Sequence, residues 1–69
     1  MGHHSLTLTD KELLITRLVT AGLKNRDIAK AIGNTEDTLK NYLRRIFDKT
    51  GMDTRLQLAL WYLAHRETL

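Results

Sequence analysis

The chain has 69 residues, 42% of them hydrophobic, with no cysteine, no proline and a net charge of +3. That length allows one domain with a modest core. The lack of cysteine excludes disulfides and thiolate zinc sites and suits a reducing cytoplasm. No apolar run approaches the roughly 20 residues that cross a bilayer, and no basic start leads into an apolar stretch as in a secretory signal. The charge is unevenly placed: Lys24 to Arg55 holds eight basic and five acidic residues, whereas the rest of the chain holds three of each. A basic middle on so small a domain points to a polyanionic partner.

Residues 1–7 have no hydrophobic period and are expected to be a flexible lead-in, with the domain proper over 8–69. His3 and His4 there are the kind of pair an expression tag leaves, and no metal site is expected. The first helix is announced by a capping box, Thr9 with Glu12, and by a hydrophobic staple between Leu8 and Leu13. Ile15, Leu18 and Val19 form its inner face, with Leu14 on the flank, and Gly22 is expected to stop it. A short second helix presents Leu23, Ile28, Ala29 and Ile32 inward and ends at Gly33-Asn34. Thr35 caps a third helix whose first turn carries Glu36 and Asp37, suited to the positive helix end. Its apolar series is Leu39, Tyr42, Leu43, Ile46, Phe47 and Thr50. Gly51 closes it, and a fourth helix capped by Asp53 or Thr54 runs from Arg55 to about Arg66.

Two helices joined by a tight glycine-containing turn make a helix-turn-helix, in which the second member enters the DNA major groove. At 100° per residue, Asp37, Asn41, Arg44 and Asp48 point away from the apolar face of helix three, with Lys40 on one flank and Arg45 and Lys49 on the other. Base edges demand such side chains: Arg or Lys for guanine, Asn for adenine, a carboxylate for cytosine. Periodicity alone favours the solvated side of an amphipathic helix. The helix-turn-helix spacing and the central basic excess bring the DNA reading level with it, with Asp37 among the base-contacting candidates and Arg45 and Lys49 assigned to phosphates.

From Leu8 to Ala59 the chain resembles the LuxR-type (GerE) helix-turn-helix domain, without a gap. The resemblance is carried by Leu8-Thr9, Glu12, Ala21-Gly22-Leu23, Asn25, Asp27-Ile28-Ala29 and Ile32-Gly33. It continues through Thr35, Thr38-Leu39-Lys40-Asn41, Leu43, Ile46-Phe47, Lys49, Gly51 and Arg55. It implies an all-α, four-helix domain binding double-stranded DNA in transcription regulation, either as a short regulator or as the output domain of a larger one. It also implies base contacts from Lys40, Asn41 and Arg44, and phosphate contacts from Lys24, Asn25, Arg26, Thr38 and Tyr42. The family commonly has histidine where Tyr42 stands, and a phenol still donates to a phosphate. Lys24 replaces the usual Ser or Thr cap of helix two, a loss of about 1 kcal/mol. Thr16, Asn34 and Thr50 stand where the family usually has apolar side chains, which implies low stability.

Helix four is apolar nearly all round. Leu58, Ala59 and Tyr62 match positions that the family turns inward. This leaves Leu56, Leu60 and Leu63, with Trp61 beside them, as a second stripe expected to pair two copies weakly. A contact with RNA polymerase is a further expectation, as is a place in the cytoplasm. No cofactor is expected. The inventory excludes enzymes: no cysteine, no glycine-rich phosphate loop, and in His65 a histidine expected to be exposed and alone. The alternative is a small interaction protein that pairs through helix four with related regulators and titrates them from DNA. A promoter-contacting domain of the sigma-factor kind shares the same helix pattern.

Overall fold

A computed structural model describes residues 8–69; the His3-His4 pair and the expected lead-in lie outside the described residues. Four helices follow in order: α1 (Asp10–Thr20), α2 (Asn25–Ile32), α3 (Glu36–Thr50) and α4 (Arg55–His65). Most of the boundaries have a local chemical cause. Thr9 Oγ1 accepts the Glu12 amide at 3.1 Å while Glu12 Oε1 accepts the Thr9 amide at 2.9 Å, so the capping box forms in full. Leu8 is buried and Leu13 packs against the core, as the staple requires. Thr35 caps α3 by accepting the Thr38 amide, and Thr54 caps α4 by accepting that of Gln57. At α2 the cap residue is Lys24, with no side-chain bond to the helix end.

Three glycines end three helices in left-handed backbone, with φ of 90° at Gly22, 72° at Gly33 and 75° at Gly51. After α2, the Gly33 amide donates to Lys30 and that of Asn34 to Ala29, a Schellman closure. The helix-turn-helix turn is therefore closed by backbone hydrogen bonds, and a side chain at Gly33 would meet conformational strain rather than crowding.

Ile15, Val19, Ile28, Ala29, Leu39, Leu43, Ile46, Leu58 and Trp61 form one core together with Leu8. The broadest helix pairing is α1 on α4, with α2 on α3 next. The polar residues Thr16 and Thr50 are buried in or beside this core. Their hydroxyls donate to the carbonyls of Glu12 and Ile46, both at 2.8 Å. Asn34 is half-buried and accepts from Lys11 Nζ at 3.1 Å. Among the described residues no buried side-chain polar atom lacks a partner: Thr16 and Thr50 are satisfied within their own helices and Asn34 by Lys11 of α1.

Two expectations for α4 are corrected. Trp61 is not beside the outer stripe but in the core, 7% exposed. His65 is not alone: it is half-buried, its ring stacks on Trp61 at 5.1 Å between centroids, and its Nδ1 lies 2.8 Å from the Trp61 carbonyl. No described helix is long and apolar enough to cross a membrane.

Candidate nucleic-acid interface

On α3, burial and exposure divide by helical phase. Leu39, Leu43 and Ile46 are buried, which anchors the helix on the core. Asp37, Lys40, Asn41, Arg44, Arg45 and Asp48 are all exposed. Since α2 packs on α3, Lys40, Asn41 and Arg44 stand on an outer face held by a rigid inner one. Within one turn that face offers two cationic side chains and one amide, the donors and acceptors that base edges match.

Thr38 and Tyr42 are half-buried, and with Asn41 and Arg45 they line one shallow hollow of about 160 Å³ on α3. The Thr35 hydroxyl, besides accepting the Thr38 amide, donates to Thr38 Oγ1 at 3.1 Å. That leaves the Thr38 hydroxyl proton available to an external acceptor. The Tyr42 ring has the Lys11 ammonium 5.7 Å and the Arg45 guanidinium 6.0 Å from its centre.

At the start of α2, Lys24 and Arg26 are exposed and Asn25 is half-buried. Arg55 on α4 donates to Asn25 Oδ1 at 2.6 Å and to the Leu23 carbonyl at 2.9 Å. This fork fixes the orientation of the Asn25 amide: with its oxygen occupied, its NH₂ is the group left to meet an anion. The backbones of α2 and α4 do not pack together, so Arg55 is a side-chain tie between the starts of the two helices.

Lys49 stands apart from the other assigned cations. Its Nζ lies 2.8 Å from Glu12 Oε1, and the carboxylate is 2% exposed against 34% for the lysine side chain. Burial acts to raise the Glu12 pKa, but the Lys49 hydrogen bond, the Thr9 amide and the lysine charge outweigh it and hold the carboxyl below its ordinary value of 4.5. The ammonium expected on a phosphate is thus engaged by an internal carboxylate that also closes the α1 cap.

Leu56, Leu60 and Leu63 are 70%, 58% and 49% exposed, so the outer stripe of α4 is open in the single chain. Sequence reasoning missed three contributors to the site's architecture: Lys11, Arg55 as the Asn25 clamp, and Glu12 as the partner of Lys49. Each acts across a separation of at least 23 residues, where no local periodicity reports contact.

The family described as bacterial regulatory proteins, luxR family, matches residues 6–62. Among curated relatives, the DNA-binding transcriptional activator DevR/DosR of Mycobacterium tuberculosis is 41% identical over 54 residues, covering 78% of this chain and 25% of that protein. Response regulator Rre1 of Synechocystis is 33% identical over 60 residues, covering 87% and 26%. Transcriptional regulatory protein YdfI of Bacillus subtilis is 36% identical over 50 residues, covering 72% and 24%. The chain therefore spans about a quarter of the length of these relatives. No solved structure matches it significantly. With its α2–turn–α3 unit and a match over most of its length, the chain belongs to the luxR family of bacterial regulatory proteins, as a four-helix LuxR-type helix-turn-helix domain for DNA binding in transcription regulation.

Proposed function

We propose that this domain recognises a specific double-stranded DNA sequence by laying the N-terminal half of α3 in the major groove. One observation carries the reading. Lys40, Asn41 and Arg44 form an exposed polar face on a helix whose opposite face, Leu39, Leu43 and Ile46, is locked in the core. Lys40, Asn41 and Arg44 read bases, with Asp37 at the helix start as an acceptor for cytosine. Lys24, Asn25 and Arg26 meet the backbone on one side, and Thr38, Tyr42 and Arg45 meet it on the other. Lys49 is left out of this set because Glu12 holds its ammonium.

Two copies pair through the exposed stripe of α4, each reading one half of an approximately palindromic site. The domain works in the cytoplasm within a transcription regulator, where RNA polymerase is a partner for an activator. Selection of bound fragments from genomic DNA, followed by affinity measurements on the enriched site, tests the reading. Arg44→Ala and Asn41→Ala each weaken the selected site by about 1–3 kcal/mol and relax preference at one or two base positions. Equal weakening on selected and random DNA would remove α3 from the role of reader.

A further inference from the structure

The Lys11 side chain on α1 crosses to the helix-turn-helix, where two of its contacts converge. Its ammonium donates to Asn34 Oδ1 in the turn between α2 and α3, at 3.1 Å, and lies 5.7 Å from the centre of the Tyr42 ring on α3. Arg45 lies 6.0 Å from the same ring centre. Lys11 and Arg45 thus share the Tyr42 ring, which together with Thr38, Asn41 and Arg45 lines a hollow.

The two internal lysine contacts of α3 and its surroundings differ in kind. Lys49 faces a carboxylate, which cancels its charge. Lys11 faces a neutral amide oxygen and an aromatic face, which hold the ammonium without cancelling it. One of its three N–H donors is used on Asn34, leaving others for an anion. Lys11 is also exposed, so an incoming anion can reach it. The amide bond and the ring restrict a side chain that otherwise loses rotamer freedom on binding.

We propose that Lys11 makes α1 a third DNA-contacting helix, with Lys11 and Arg45 flanking Tyr42 to grip neighbouring phosphates of one strand. The proposal rests on the reading of α3 as the groove helix, and it adds a contact from outside the helix-turn-helix. Both cations lie within 6.0 Å of one ring centre. Successive phosphates follow every ~3.4 Å of helix axis on a strand, so two cations that share one ring can reach phosphates of the same stretch of backbone. The phenol hydroxyl of Tyr42, whose ring both cations share, supplies an uncharged donor.

Three variants separate charge from positioning. Lys11→Met removes the charge and the bond to Asn34 while keeping an unbranched stem. Lys11→Gln removes the charge and retains a side-chain amide that can donate to Asn34, while Lys11→Arg restores the charge. Binding to a short mixed-sequence duplex is measured over a range of salt concentrations, beside the enriched genomic site. Met and Gln variants are expected to bind both DNAs several-fold more weakly, with base preference unchanged. Their salt slope becomes shallower by about 0.9 per protomer, and Arg restores both quantities. A Gln variant that binds like the unchanged protein while Met is impaired would overturn the proposal, making Lys11 a support for the turn. Unchanged affinity and slope in both variants would overturn it as well. In either case an altered base preference in Arg44→Ala keeps the α3 reading intact, whereas an unchanged protein that binds no duplex in a salt-dependent way removes that reading itself.

Discussion

Glu12 shows how one side chain can serve two purposes. Its carboxylate completes the α1 capping box and holds Lys49 of α3, joining the start of one helix to the end of another. Because its folded pKa lies below the ordinary 4.5, the ionised form stabilises the fold. That contribution is present above pH 4.5 and is lost as pH falls through the lower folded value. Glu12→Gln is therefore expected to cost about 1–3 kcal/mol at neutral pH and to flatten the acid limb of a stability–pH curve measured by circular dichroism. An acid limb identical to that of the unchanged protein would detach the pair from acid sensitivity. Lys49→Met should destabilise by a similar amount yet leave the salt slope for DNA unchanged, since the ammonium is engaged inside the protein. A shallower slope in that variant would return Lys49 to the phosphates. The polar residues Thr16, Asn34 and Thr50 teach the same lesson about context. Read alone they imply a weakened core, but two bond to the preceding helical turn and the third to Lys11.

Among the elements, α4 divides most clearly between inside and outside. Leu58 and Trp61 enter the core, while Leu56, Leu60 and Leu63 remain exposed. Apolar area removed from water yields about 25 cal/mol per Å², but association carries its own entropic cost. We therefore expect a weak dimer, on the order of micromolar or poorer, strengthened when DNA holds two copies on adjacent half-sites. Leu60→Asp places an unpaired charge in the seam and should abolish pairing seen by analytical ultracentrifugation while the circular dichroism spectrum stays helical. It should reduce binding to a palindrome far more than binding to a single half-site. If the variant unfolds, Leu60 belongs to the core and the assigned interface is wrong. Arg55, at the start of this helix, also clamps Asn25 at the start of α2. The start of α4 and the start of α2 are thereby mechanically joined by one guanidinium fork.

For the whole molecule, the basic excess between Lys24 and Arg55 should govern affinity. The logarithm of the binding constant is expected to fall linearly with that of salt concentration, at about −0.9 per neutralised phosphate. A dimer on duplex DNA should give a slope of roughly −4 to −8. Lys24→Ala, at the uncapped start of α2, should weaken all sequences about equally and make that slope shallower. Salt-independent binding, or none to genomic fragments at low salt, would count against the function proposed here.

Much of this architecture was legible without coordinates because its causes are local. Thr9 with Glu12, Thr35 and Gly33 act within a few residues of themselves, and α3's apolar period follows from helical geometry, so helix limits and the face bearing Lys40, Asn41 and Arg44 could be read from spacing. Periodicity could not sort α4, where apolar residues surround the helix and only packing against α1 puts Trp61 inside. Nor could it pair Glu12 with Lys49, Arg55 with Asn25 or Lys11 with Tyr42. Those partners lie far apart in the chain, and which charges are neutralised at home and which stay available to DNA is decided when the helices pack.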